Sequence, residues 1–377
     1  MSYGKPQRRH DCAEHTRSEL LRRASAEAGR GLPIIEPGTP LPAGTGLDRR
    51  TFLAGAAGLV LTVYGAGRLG NGFLDDGIAN AAANGATTEP ILVSVFLDGG
   101  IDSLSLLYPG GDGEYHRLRP QLGLAPELGT PFSEDPRLLW HPLAAPFATL
   151  HGEGKLSVAP AIGYASPDQS HFTSRHYYEV GATDANLRTG WLGRYLDHAG
   201  SVDNPLQGLS LDYALQPSLA SKTAPVAAIS APDEYQLWSR NVWGDVRDRM
   251  LGSLADIGQS AQGKDPGLSD AGQVLMHVDG VRRQLLPFIG EDEEQTIVSP
   301  VAYPASDDSF PERLAGLAAM LGAGLPLKCV ALTAPGAYDT HDNQVGAFEQ
   351  GLELTAASLL AFQRDLEARG LADRVLT

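Results

Sequence analysis

Apolar residues in this chain fall either into short continuous runs or into long periodic ones, and the alternation of the two predicts its architecture. Ile91-Leu92-Val93-Ser94-Val95-Phe96-Leu97 is a short run closed by Asp98-Gly99-Gly100, the pattern of a buried parallel strand followed by a glycine turn. Residues 142–151 have helical character and residues 155–161 form a second short apolar run, so strand, crossover and strand predict a βαβ unit. Helices are expected over 170–180, 191–198, 233–254, 268–289 and 310–321, with short strands at 209–211 and 226–229. The 268–289 segment places Val274, Val278, Val281, Leu285 and Phe288 on one face. A strong strand is expected at 327–333, then a long amphipathic helix at 344–369 carrying Phe348, Leu352, Leu359, Phe362 and Leu366. After Gly370 the segment Arg374-Val375-Leu376-Thr377 reads as the start of another parallel strand, and a further C-terminal portion is expected beyond it. Strands alternating with helices predict an α/β fold with a mostly parallel, doubly wound sheet, whose ligands bind beyond the carboxyl ends of the strands.

The first 81 residues do not share this pattern. Residues 1–50 show no sustained periodicity and read as disordered. Arg49-Arg50-Thr51-Phe52-Leu53 then opens onto the apolar, small-residue stretch 54–63, the order of a twin-arginine export signal. A buried helix behind two surface arginines is the alternative for the same residues. The stretch of about a dozen residues is too short for a membrane span, which needs roughly 20. Cleavage is expected after Ala81, which divides the chain into a signal region, 1–81, and an α/β domain, 82–377. That domain is expected in the periplasm or outside the cell, with the twin-arginine translocation machinery as a partner and no stable membrane span after processing.

Charge narrows the function further. The chain carries 29 Lys and Arg against 45 Asp and Glu, and the part beyond residue 81 keeps 19 against 37, a net charge of −18. Such a surface repels nucleic acid and gains nothing from an anionic membrane. With 42% apolar residues the chain builds an ordinary globular core. Of its cysteines, Cys12 and Cys329, the second sits in an apolar run and is expected to be a buried thiol.

Candidate chemistry collects where predicted strands end. The first strand gives Asp98 and Asp102, the second leads to Asp168-Gln169-Ser170-His171-Phe172, and the strand at 327–333 leads to Tyr338-Asp339-Thr340-His341. Asp and His on one edge of a parallel sheet suit one or two divalent metals, which would polarise an ester oxygen and activate a nucleophile. The candidate ligands are Asp98, Asp102, His171, Asp339 and His341. Asp98 and Asp102 equally suit turn capping, His171 suits a polar helix start, and Ser170 suits an N-cap as well as a nucleophile.

The ordered set Phe96-Leu97-Asp98-Gly99-Gly100-Ile101-Asp102, His141-Pro142-Leu143, Ser170-His171-Phe172, Gly190-Trp191-Leu192 and Tyr338-Asp339-Thr340-His341 resembles a family of twin-arginine-exported bacterial proteins, the domain-of-unknown-function family fifteen-oh-one. That family looks like a branch of the alkaline phosphatase and sulfatase superfamily. The resemblance implies an alkaline-phosphatase-like fold, a divalent metal (zinc, manganese or calcium) and hydrolysis of a phosphate or sulfate ester, on a small molecule or a polysaccharide. It also implies a metal on Asp98 or Asp102 and a nucleophile at Ser170. An arginine follows the sulfatase nucleophile by four residues; here Arg175 follows Ser170 by five and takes that place only with an offset. The alternative is a non-catalytic extracytoplasmic binding or assembly protein on the same scaffold.

Export tests the reading of residues 49–63. Replacing Arg49 and Arg50 together by Lys keeps the charge but removes the paired guanidinium groups that the pathway reads. Cell fractionation is expected to find the variant precursor in the cytoplasm; undiminished export would reject the twin-arginine signal.

Overall fold

The computed structural model describes residues 63–64, 89–160, 162–167, 169–232, 235, 244–289, 297–336 and 338–377. Residues 49–62, Ala81 and Asp168 lie outside the described residues, as do Trp238 and Trp243. In chain order the elements begin with β1 (Val63–Tyr64), β2 (Ile91–Phe96), α1 (Ser103–Leu106), β3 (Leu107–Tyr108), α2 (Gly113–Leu118), β4 (Thr130–Pro131) and β5 (Leu139–Trp140). Then come α3 (Ala145–Gly152), α4 (His171–Val180), α5 (Trp191–Ala199), β6 (Gly208–Ser210) and β7 (Val226–Ala228). The last part holds α6 (Gly244–Ala261), α7 (Pro266–Leu285), α8 (Phe310–Gly322), β8 (Cys329–Thr333), α9 (Gln344–Ala368) and β9 (Val375–Leu376).

Five strands run parallel in the order β7-β6-β8-β2-β9, and β1 joins antiparallel beside β7. The fold is therefore α/β with a parallel sheet flanked by helices. Strand alternation shows both faces covered. Val330 and Leu332 of β8 enter the large core with Leu314, Leu317, Val281, Leu285 and Phe362, whereas Cys329 and Ala331 enter a smaller one with Leu192, Leu196 and Leu219. Ile91 and Val93 of β2 likewise face the large core and Leu92 the small one. A doubly wound sheet requires this arrangement, because each strand must bury both of its sides. The expected apolar face of α7 points into the large core, while that of α9 is divided, Leu359, Phe362 and Leu366 meeting the large core and Phe348 and Leu352 a separate cluster with Trp140 and Tyr338. Cys329 is a buried free thiol whose pKa is pushed up to about 12 by burial.

The expected strand at 155–161 does not form. Residues 155–160 join no strand ladder. The place beside β2 is taken by β8, paired from Leu92 with Cys329 through Phe96 with Thr333. Leu156 and Val158 pack instead against the cluster of Trp140, Phe348 and Leu352, and Lys155 is drawn outward by Glu153 (2.9 Å) and Glu367 (2.8 Å). The predicted βαβ unit is thus replaced by a long-range pairing. Residues 142–144 form a 3-10 turn ahead of α3, with His141 as its cap. The expected helix at 233–254 is described from Gly244 onward.

Val63, the end of the apolar stretch in the expected signal, pairs with Ala227 in the sheet. Cleavage after Ala81 would remove β1 and leave β7 as the sheet edge. Among the described residues no helix is long and apolar enough to cross a membrane.

The α6–α7 hairpin is drawn tight by glycine. A Cβ on Gly258 would lie 2.5 Å from the Gly272 carbonyl oxygen, and one on Gly272 would lie 2.6 Å from that of Gly258. On α7 the buried His277 meets Gln273 at 3.4 Å, and burial lowers its pKa from 6.5 to about 4. As pH falls below about 6.5 the unfolded chain takes up a proton that the folded chain refuses, so stability falls until about pH 4 and levels off below it. Linkage sets the loss at up to about 3 kcal/mol. Urea unfolding at neutral and acid pH should show this slope in the wild type and a flatter one in His277→Gln; equal slopes would remove His277 as its source.

Candidate active site at the carboxyl ends of β2 and β8

The site begins as a backbone seam. Beyond the β2–β8 ladder the chains stay together, Ala334 N donating to Phe96 O (2.9 Å) and Tyr338 N to Asp98 O (3.1 Å). Gly99, at φ +101°, lies so close that a Cβ there would stand 2.3 Å from the Asp339 backbone nitrogen. Only glycine combines that conformation with that approach. The loops carrying Asp98 and Asp339 are thereby fixed against each other.

Helix α4 closes the third side. Its residues His171, Arg175 and Glu179 recur every four positions and share one face. Arg175 Nη1 donates to Asp98 Oδ2 (2.7 Å) and Nε to Glu179 Oε1 (2.7 Å), while its guanidinium lies 5.2 Å from the centroid of the Phe96 ring. Phe96 in turn stacks on Tyr178 at 4.8 Å. Arg175 Nη2 makes no hydrogen bond among the described residues, so an oriented guanidinium keeps one free edge. Burial raises the pKa of Glu179 and outweighs the pull of Arg175. Burial disfavours the Arg175 cation, but Glu179 and Asp98 together hold it charged.

His171 Nε2 faces Asp339 Oδ2 at 3.5 Å, and His341 Nε2 faces Oδ1 of the same carboxylate at 3.2 Å. Ser170 is the N-cap of α4, its Oγ accepting from Thr173 N at 3.4 Å. Its carbonyl receives both Ser174 N and Ser174 Oγ at 3.0 Å, and Tyr164 Oη meets that hydroxyl at 2.8 Å. Gln169, just before the cap, is left-handed at φ +60°.

Asp102 stands apart from this group. Arg119 donates to both of its oxygens, Ser105 Oγ at 2.8 Å and Gln344 Nε2 at 2.6 Å. Burial pushes its pKa up, but these donors outweigh burial and hold it below the usual carboxylate value. It ties the end of β2 to the segment after α2 and to the start of α9.

The structure therefore brings together Asp98, His171, Arg175, Asp339 and His341, with Ser170 at the head of the helix that supplies two of them. The implied metal fits this group unevenly. Asp98 and Asp102 are bonded to guanidinium groups. Asp339 is flanked by two imidazoles, and His171 Nε2 is enclosed without a hydrogen bond, so carboxylate and imidazole donors suited to zinc stand in contact. The two rings address opposite oxygens, and no group of three or more His, Cys, Asp or Glu side chains among the described residues is arranged to hold an ion.

Sequence reasoning missed Glu179, Arg119 and Gln344. Glu179 was signalled by its spacing of four from Arg175 on a predicted helix. Nothing local marks Arg119 as the partner of Asp102. A further knot was also missed at the ends of β6 and β8. Arg313 there reaches Asp212, the Leu211 carbonyl (3.0 Å) and the Thr333 carbonyl (3.2 Å), and Asp212 accepts from Thr333 N (3.0 Å).

Compared with models of protein families, with curated proteins and with solved structures, the chain matches none.

Alanine at Gly99 must adopt a strained φ and meet the Asp339 backbone. Alanine at Gly100, φ +83°, meets open space and carries the strain alone. Chemical denaturation should find Gly99→Ala destabilised by about 2 kcal/mol or more and Gly100→Ala by about 1 kcal/mol. Equal losses would mean that the seam tolerates a side chain.

Proposed function

We propose that this chain is an exported hydrolase of phosphate or sulfate esters in which Ser170 is the nucleophile. One observation carries the reading: a single helix, α4, begins at Ser170 and lays His171 and Arg175 against the carboxyl ends of β2 and β8, beside Asp98 and Asp339. A hydroxyl, a helix N-terminus, a guanidinium and a carboxylate–imidazole group then share one edge of a parallel sheet, where ligands of such sheets bind.

The chemistry follows from these parts. Ser170 Oγ bonds to phosphorus or sulfur as the bond to the ester oxygen breaks, and the proton lost by the hydroxyl leaves on that oxygen as the alcohol. Water then attacks the serine-bound phosphoryl or sulfuryl group, releases inorganic phosphate or sulfate and restores the hydroxyl. The free edge of Arg175 and the first amides of α4 orient the anionic oxygens, and their positive ends match charge that develops there. Asp98 and Glu179 keep the guanidinium in place for that contact. Asp339, His171 and His341 are not arranged to hold an ion; a divalent cation taken up at Asp339 would add Lewis-acid polarisation and lower the pKa of the nucleophile. The substrate is a small-molecule or polysaccharide ester, met in the periplasm or outside the cell.

Two substitutions separate nucleophile from cap. Ser170→Ala removes both roles and is expected to abolish turnover of phosphate and sulfate monoesters, with about 0.5–2 kcal/mol of stability lost. Ser170→Asn retains a capping oxygen, so stability is expected to recover while turnover stays absent. Turnover that persists in Ser170→Ala, measured on the same ester panel, would end this reading.

A further inference from the structure

The motif resemblance puts a metal on the acid at the end of β2, which is Asp98 or Asp102. We infer that neither carboxylate binds metal in this chain: Arg175 and Arg119 are their resident cations, and zinc offered to the chain leaves both aspartates untouched. The inference concerns only where positive charge sits, and it stands whether or not the chain hydrolyses esters.

Asp102 is already served by four donors. Three of them crowd Oδ2, beyond its two lone pairs, and the fourth, from the same guanidinium, takes Oδ1. Arg119 reaches each oxygen, and Ser105 and Gln344 share Oδ2. An ion would have to break contacts that also anchor α9 and the segment after α2. The lowered pKa of Asp102 fits a carboxylate already served by positive charge.

At Asp98 the obstacle is the arginine. Arg175 is gripped at Nη1 by Asp98, at Nε by Glu179 and across its face by Phe96. If an ion took Asp98, two outcomes remain. The guanidinium stays beside it, and like charges repel at short range. Otherwise it swings away and strands Glu179, which is buried and has Arg175 as its charged hydrogen-bond partner. Breaking one side of a buried pair is among the more costly changes a fold can suffer. Asp339 differs, because its neighbours are imidazoles, which are metal ligands when neutral and do not compete as fixed cations.

The test uses the full chain, stripped with chelator and equilibrated with zinc chloride, with bound metal measured after gel filtration. The expected result is no more than one zinc per chain, with the same content in Asp98→Asn and Asp102→Asn as in the wild type. A double-mutant cycle of Asp98→Asn with Arg175→Met, read by melting temperature, should give the same coupling in chelator and in zinc. A second equivalent of zinc would overturn the inference, as would loss of zinc from folded Asp98→Asn or Asp102→Asn, or a coupling that zinc abolishes. The wild-type stoichiometry and the cycle decide the matter if Asp102→Asn fails to fold. A wild type that takes no zinc supports the inference and refutes the cation in the proposed hydrolase, so the two failures are told apart.

Discussion

Everything at the candidate site depends on the close approach of two backbones beyond the β2–β8 ladder. Parallel strands normally diverge where their loops begin. Here two further hydrogen bonds, from Ala334 to Phe96 and from Tyr338 to Asp98, extend the contact, and Gly99 admits Asp339 where no side chain would fit. The loop of residues 334–340 is held from its other side as well. Gly336 and Gly351 meet almost backbone to backbone, and the Tyr338 ring packs edge-on to Phe348 of α9. Asp98 and Asp339 are therefore placed by main-chain geometry, which varies little, and not by flexible side chains. That rigidity is what a preorganised site requires.

On this frame the chain settles its excess of acid locally. Asp98 and Glu179 share Arg175, Asp102 takes Arg119, and Asp212 takes Arg313 at the neighbouring strand ends. Each arginine also does mechanical work. Arg119 joins β2 to the segment after α2, Arg175 joins β2 to α4, and Arg313 joins α8 to the ends of β6 and β8. The carboxyl edge of the sheet is thus stitched by guanidinium groups whose planar, multi-donor geometry lysine does not reproduce. Asp339, among the described residues at these strand ends, is paired instead with two histidines, His171 and His341.

How much of this the sequence reveals depends on the range of each interaction. The run at 91–97 with its glycine turn, and the periodic apolar face from Phe348 to Leu366, announce β2 and α9, because burial of one strand or one helix face is a local pattern. The run at 155–161 has a similar character, yet it forms no strand. Which run pairs with β2 is decided by a partner more than 200 residues away, and no local pattern records that choice. The site divides the same way. Asp98, Ser170, His171, Arg175, Asp339 and His341 are legible as chemistry at predicted strand ends and helix starts. That Asp98 is bonded to Arg175, and Asp102 to Arg119, follows from tertiary packing. A ligand and an ion-pair partner look identical in a sequence, since both are simply an aspartate after a strand.

The distinction matters for what the site can accept. Three acids, Asp98, Glu179 and Asp339, gather here around one arginine, Arg175. In the proposed hydrolysis, an anionic ester would meet these acids as well as the guanidinium of Arg175. Charge acts over a Debye length of about 8–10 Å, whereas a guanidinium contact requires hydrogen-bond range, so the acids weigh on approach and Arg175 on final placement. In that reading the fixed arginine would supply direction, and the acids around it would set how readily an anion comes within its reach.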